Sequence, residues 1–409
     1  MLIAIRHKSE RDGWEQLKTM NTTNLMSTYN RLDVIFERGD GAQLWDAEGR
    51  RYLDALSGIA VTGLGHAHPA VTEALCLQAG TLVHTSNLYR IEHQEALSEK
   101  LARLSGLTHT FFCNSGAEAN EAALKLARRY GNDRDINEPV VIAADGSFHG
   151  RTMATLSATG NPKVHAGFEP LVSGFEHVPF GDLAALERQL ANNDQAVAVF
   201  LEPIQGEGGI VVPPDGYLRG VRELCDAHGA LMMLDEIQTG MCRTGTWFAF
   251  QAEKITPDVI TLAKGLGNGV PIGACLARGA AAEVLQPGTH GSTFGGNPLA
   301  TRAALAVVDT MEQESIAERA AAMGQHCFEQ FSSRLGKTSV VKEIRGRGMM
   351  LGIELNKPCA ELVGKALEQG LLINVTADSV VRLLPPLIMS DDELGEMVNI
   401  VCQLIEQLG

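Results

Sequence analysis

Positive charge is scarce in this chain. Its 409 residues carry 34 Lys and Arg against 49 Asp and Glu, a formal net charge of −15. Nucleic-acid binders neutralise phosphates with Lys and Arg, so this balance argues against one. Any anion site must then be a local positive pocket in an acidic protein. Aromatic residues make up only 5%, a poor fit to a glycosidase. No apolar run approaches the ~18–20 residues of a membrane span. The N-terminal MLIAIRHKSERDGWEQ places charge after a short apolar stretch, the wrong order for a signal peptide. Residues 1–25 are polar, lack clear periodicity and are expected to be a poorly ordered extension; Met20 or Met26 would also serve as a start.

Cysteine pairs are missing too. The eight cysteines (Cys76, Cys113, Cys225, Cys242, Cys275, Cys327, Cys359 and Cys402) form no C-x-x-C. Most lie inside apolar runs, the pattern of buried reduced thiols rather than a disulfide frame or zinc site. A reducing cytoplasm is expected. Walker A, G-x-G-x-x-G and H-E-x-x-H are all absent. His66 and His68 in GHAHP are the only close histidine pair near a candidate loop, weak grounds for a metal.

What is present is an alternation. Apolar runs occur at 109–114, 138–145, 195–203, 230–236, 258–264 and 273–278. Several are continuous Val/Ile/Leu/Phe/Ala, as in strands buried on both faces. Helical patterns at 116–130, 181–192 and 215–228 lie between them. This rhythm predicts an α/β fold with a mostly parallel sheet covered by helices. Only a glycine-rich turn separates the last two runs, so one strand there is expected to run antiparallel. Residues 301–334 read as one long helix. The remainder reads as a smaller α+β domain, closed by a helix opening on a Ser390–Glu393 capping box. A hairpin at 43–56 is expected to join it. Length alone implies two domains.

In open α/β sheets, ligands bind beyond the carboxyl ends of the strands, and polar groups come directly after the apolar runs here. After TFFC comes NSGAEANEAALKLAR, a Ser-Gly turn into a helix. A helix start favours a phosphate, though Ser115 also suits a plain N-cap. In GSFHGRT, Phe148 is either core or a plate for a planar ligand. His149 is a possible general base but more simply a hydrogen-bonded loop residue. Arg151 could clamp a carboxylate. In EPIQGEGG, Glu202 and Glu207 could act as acid and base, or simply be solvated. Asp235 ends an apolar strand and needs a partner. Lys264 does likewise in VITLAKGLGNGVPIGA, and a lysine beside apolar walls has a lowered pKa suited to Schiff-base chemistry. A phosphate cradle, a plate, an aspartate and a lysine on one sheet edge together suit pyridoxal phosphate.

Taken together, these residues resemble class III (subgroup II) pyridoxal-phosphate aminotransferases of fold type I, and within them acetylornithine aminotransferases. The landmarks include SGIAVTGLGHAHP, NSGAEANEAALKLAR, SFHGRTMATLSATG, EPIQGEGG, LDEIQTG, LAKGLGNGVPIGA, GSTFGGNPLA and VVRLLPPL, from about Asn24 to the end. The resemblance implies a large cofactor domain at 71–310 with a seven-stranded sheet. It implies a small domain at 311–409, joined by 26–70. Lys264 would carry the cofactor covalently, and Asp235 would keep the ring nitrogen protonated. Gln238 would contact the ring hydroxyl, with Glu236 and Ile237 in the same cofactor-binding stretch. Phe148 would lie on the ring, and Ser115, Gly116 and Ala117 would hold the phosphate. Thr293 would reach the phosphate of a neighbouring subunit and Ser292 its substrate pocket, implying a homodimer with shared active sites. Arg151 would bind a substrate carboxylate. Arg382 would take the α-carboxylate of 2-oxoglutarate, with Glu207 as the gate over it. Relatives often have glycine where this chain has Cys242. The same fold also serves succinylornithine, ornithine, 4-aminobutyrate or succinyl-diaminopimelate as donors, and aminomutases. A dinucleotide oxidoreductase lacks its glycine fingerprint here, and a catalytically dead binding protein is at odds with Lys264 and Asp235.

Overall fold

The computed structural model describes residues 24–408. The expected N-terminal extension lies outside them, apart from its last two residues. Residues 24–35 are a short unit of bends with local bonds such as Thr28 N–H to the Met26 carbonyl, 2.8 Å. Residues 36–408 form a larger unit.

In that unit the chain begins with β1 (Phe36–Asp40), β2 (Gln43–Asp46) and β3 (Arg51–Asp54), an antiparallel meander. Seven strands come next: β4 (His109–Cys113), β5 (Val140–Ala144), β6 (Phe175–Val178), β7 (Ala196–Leu201), β8 (Leu231–Asp235), β9 (Val259–Leu262) and β10 (Gly273–Ala277). They form one sheet in the order β4-β10-β9-β8-β7-β5-β6. β10 is antiparallel to both neighbours, and the other strands run parallel to one another. The reason is local: the turn from β9 to β10 is too short for a crossover, which needs a dozen or more residues. β8 and β9 are buried at every position, which explains their unbroken apolar runs. The helices Gly116–Asn132, Leu183–Asn192 and Tyr217–His228 supply crossovers, each within a few residues of its expected span.

Three expectations change. β6 was not among the six runs. Its FEHV sequence is half-buried at the sheet edge, so no continuous apolar run marks it. The strand leading to Lys264 stops at Leu262. The long helix is two, Pro298–Gln313 and Ile316–Leu335, broken where Ser315 takes a left-handed φ of 50°.

The C-terminal strands are β11 (Val341–Arg347), β12 (Met350–Leu355), β13 (Leu371–Leu372), β14 (Asn374–Thr376) and β15 (Val380–Leu383). Four make the antiparallel sheet β11-β12-β15-β14, while β13 pairs in parallel with β3 and ties the N-terminal meander to this region. The last helix, Asp391–Glu406, starts on the expected capping box: Ser390 Oγ accepts from Glu393 N–H, and Glu393 accepts from Ser390 N–H. No described helix is long and apolar enough to cross a membrane.

Candidate active site

The carboxyl ends of β4, β5, β7, β8 and β9 open on one cavity of about 430 Å³, within the usual range for small-molecule sites. Ser115, Gly116, Ala117, Phe148, Arg151, Glu207, Asp235, Ile237, Gln238 and Lys264 all line it. Residues far apart in sequence thus meet because parallel strands deliver every βα turn to the same edge.

At β4, Ser115 caps the helix Gly116–Asn132, and its Oγ accepts from Glu118 N–H at 3.2 Å. The N–H groups of the first turn have no intrahelical acceptor and can take an anion. Gly116 lets Ile237 pack close: a Cβ would lie 2.7 Å from Ile237 Cδ1 and push that side chain aside. At β8, Asp235 is buried and held from two sides. Its Oδ2 accepts from Asn120 Nδ2 at 2.8 Å and lies 2.8 Å from His149 Nδ1. Its Oδ1 accepts from Ile237 N–H at 3.1 Å. His149 stacks on Phe200 with ring centroids 4.2 Å apart, so it is the hydrogen-bonded loop histidine, with Asp235 as its partner. Asn120 is the residue that sequence reasoning missed. Its signal is a lone amide on the otherwise alanine-rich buried face of a helix.

The Glu236 side chain does not line the cavity. Successive residues at a strand end face opposite ways, so with Asp235 toward the cavity Glu236 turns from it. Its carboxylate accepts from Thr239 Oγ1, Ala249 N–H and Phe250 N–H. Burial pushes it up to about 7. Glu202 is corrected from the solvated alternative: it is buried and lines the cavity.

Lys264 sits in a short turn after β9 with a left-handed φ of 43°, an uncommon conformation for a non-glycine residue. Burial holds its amine below the usual lysine range, and the Arg382 cation adds to this; Glu207, Asp235 and Glu202 work against it. Arg382, on β15, is fully buried. Its Nη1 donates to Glu207 Oε1 at 2.6 Å and its Nε to Asn374 Oδ1 at 3.0 Å, while Nη2 has no partner. Arg151 is exposed, 5.6 Å from the Phe148 ring centroid, and makes no ion pair with a described residue. Ser292 and Thr293 do not line the cavity of their own chain. Ser292 Oγ instead accepts from Asn114 Nδ2 (3.3 Å) and Gly295 N–H (2.9 Å). His66 bonds Asp54 at 2.8 Å, and the described residues contain no group of three ligands able to hold a metal.

The cavity fits pyridoxal phosphate on its own chemistry. An amine and a carboxylate share it, a ring can lie on Phe148, and free N–H groups mark the anion end. Gln238 Oε1 is buried without a partner, an acceptor left for the hydroxyl of a bound ring.

Cys242 is fully buried with a φ of 67°. The position is left-handed, a conformation that glycine adopts without steric cost.

Residues 26–405 match the family model described as aminotransferase class-III. An acetylornithine aminotransferase of Nitrosomonas europaea is 57% identical over 94% of this chain and 98% of that protein. The N-acetylornithine aminotransferase structure from Stenotrophomonas maltophilia K279a superposes with a TM-score of 0.81 at 39% identity, covering 93% of this chain and 98% of that one. An ornithine aminotransferase structure from Toxoplasma gondii, described with pyridoxal phosphate at partial occupancy at its active site, superposes at 0.92 with 34% identity, covering 98% and 97%.

Proposed function

The chain belongs to the class-III aminotransferases, and on that premise we propose that it moves the δ-amino group of N2-acetyl-L-ornithine to 2-oxoglutarate. The products are N-acetyl-L-glutamate 5-semialdehyde and L-glutamate, a reaction of arginine metabolism. Pyridoxal 5′-phosphate is the cofactor, and when bound it supplies an electron sink and a carbon that condenses with amines.

The observation that carries this reading is the Arg382–Glu207 pair beside Lys264. A fully buried cation faces a carboxylate whose side chain is 36% exposed. With an ω-amine donor, Glu207 covers Arg382 and spares it an unpaired charge. With 2-oxoglutarate, Glu207 swings toward solvent and the guanidinium accepts the α-carboxylate. One pocket thereby serves both halves of a ping-pong reaction. Arg151, at the exposed rim, suits the carboxylate of the acylated donor.

Lys264 holds the cofactor at rest. With its amine free, Lys264 Nζ would take the proton from the donor carbon, a task suited to an amine with a lowered pKa. Asp235, oriented by Asn120 and His149, would pair with a protonated ring nitrogen. Ser115, Gly116 and Ala117 hold the phosphate. In a homodimer, the partner subunit's Thr293 would complete that cradle, and its exposed position on each chain supports this. Free buried thiols suit a reducing cytoplasm.

Donor competition tests the reading. The kcat/KM for acetylornithine is expected to exceed those for succinylornithine, ornithine and 4-aminobutyrate. A preference for ornithine or 4-aminobutyrate would overturn the donor assignment. Lys264→Ala is expected to fold and lose turnover.

A further inference from the structure

Glu202 lies just past β7 and is buried against the cavity, yet it makes no ion pair with a described residue. It contributes two acceptor oxygens to two backbone turns. Oε1 accepts from Phe148 N–H at 2.9 Å, in the turn after β5. Oε2 accepts from Gly206 N–H at 3.0 Å, one residue before Glu207. These turns leave adjacent parallel strands and touch one another: Gln205 Nε2 donates to the Asp145 carbonyl at 2.8 Å, and a Cβ on Gly208 would lie 2.7 Å from the Gly146 carbonyl. Gly206 also packs against Gln238, where a Cβ would meet Oε1 at 2.4 Å.

We propose that Glu202 is a positioning residue whose carboxylate fastens the turn carrying Phe148 to the turn carrying Glu207, and so sets how firmly Glu207 covers Arg382. The proposal rests on the transamination reading for the roles of Phe148 and Glu207. Burial pushes the Glu202 carboxyl up to about 7, and the two N–H groups pull the other way by stabilising its charge. Thr376 Oγ1 holds the Glu207 carbonyl at 2.5 Å, so the backbone is tied on both sides of the Glu207 side chain. The side chain alone would then swing.

Loss of the clamp has two consequences of different reach. Loosening Phe148 affects both half-reactions and cancels from their ratio. Loosening Glu207 uncovers Arg382, which favours donors with a carboxylate on the carbon bearing the reacting amine, such as glutamate, and penalises those, such as acetylornithine, whose reacting carbon has none. Single-turnover kcat/KM is measured on the holoenzyme for acetylornithine and for glutamate. In Glu202→Ala, the acetylornithine-to-glutamate ratio is expected to fall about 10-fold, the scale of a lost charged hydrogen bond. A ratio within about twofold of wild type would overturn the clamp. Amide hydrogen exchange on the unmodified protein decides independently of turnover and of whether the variant folds. The Gly206 and Phe148 amides are expected to be protected. Exchange as fast as exposed loop amides at either would overturn the proposal. If the wild type uses neither donor, the transamination reading fails, while exchange still tests the clamp.

Discussion

Arg243 and Arg382 are both buried cations, rare in protein interiors, and their surroundings differ in kind. Arg243 has neutral partners: the Met349 and Pro385 carbonyls at 3.1 and 2.5 Å and Ser57 Oγ at 3.4 Å. Burial pushes its guanidinium down to about 9, still protonated at neutral pH. Those contacts join the loop after β8 to the turn between β11 and β12, to the chain beyond β15 and to the chain after β3. Arg382 has a part-exposed carboxylate and the Asn374 amide oxygen for partners, and one nitrogen with none. A structural cation is finished by the fold. A cation proposed to bind substrate is left unfinished, under a carboxylate that is partly exposed.

The strongest way to break this contrast is Arg382→Met. The kcat/KM for 2-oxoglutarate is expected to fall by about 10²-fold or more, as when a buried charged partner is removed. Single-turnover reaction with acetylornithine should change far less, and the melting temperature little, because half-exposed Glu207 can be solvated. Arg243→Met should do the reverse. It strands two buried carbonyls and should cost on the order of 3 kcal/mol in chemical denaturation, with the ratio between donors unchanged. If both variants lost substrate affinity alike, the distinction would fail.

The lysine sharpens it further. Arg382 helps to lower the Lys264 pKa. In cofactor-free protein, the pH midpoint for acylation of Lys264, followed by mass spectrometry, should lie below that of surface lysines, near ~10.4. Removing Arg382 takes away a positive neighbour and frees Glu207, and both changes raise the midpoint. Arg243→Met should leave it in place. The smallest effect lies next to Arg243. At the left-handed Cys242, glycine avoids a steric cost that alanine keeps. Cys242→Gly should therefore be more stable than Cys242→Ala by about 0.5–1 kcal/mol, measured by denaturant titration.

Much of this was legible in the chain. Continuous apolar runs marked six of the seven central strands, and the polar residues at the end of each run marked the cavity. β6 escaped because an edge strand need not be apolar on both faces. The break at Ser315 escaped because helical periodicity continues across it while a single φ changes. Lys264, Asp235, Phe148 and Ser115 could be named because each stands at or just beyond the end of an apolar run. The role of Asn120 and the burial of Glu202 were harder to read, since both depend on which elements become neighbours in space. The direction of the Glu236 side chain was hidden for a related reason. Adjacency in sequence at a strand end means opposite faces, not a shared site.

The central claim is that Lys264 is the amine at the reacting centre of this cavity. Borohydride reduction of the holoenzyme, with peptide mapping of the product, tests it most directly. The account predicts a single pyridoxyl adduct, on Lys264, which substrate amine given before reduction prevents. An adduct on another lysine, or none in a protein that still transaminates, would contradict it.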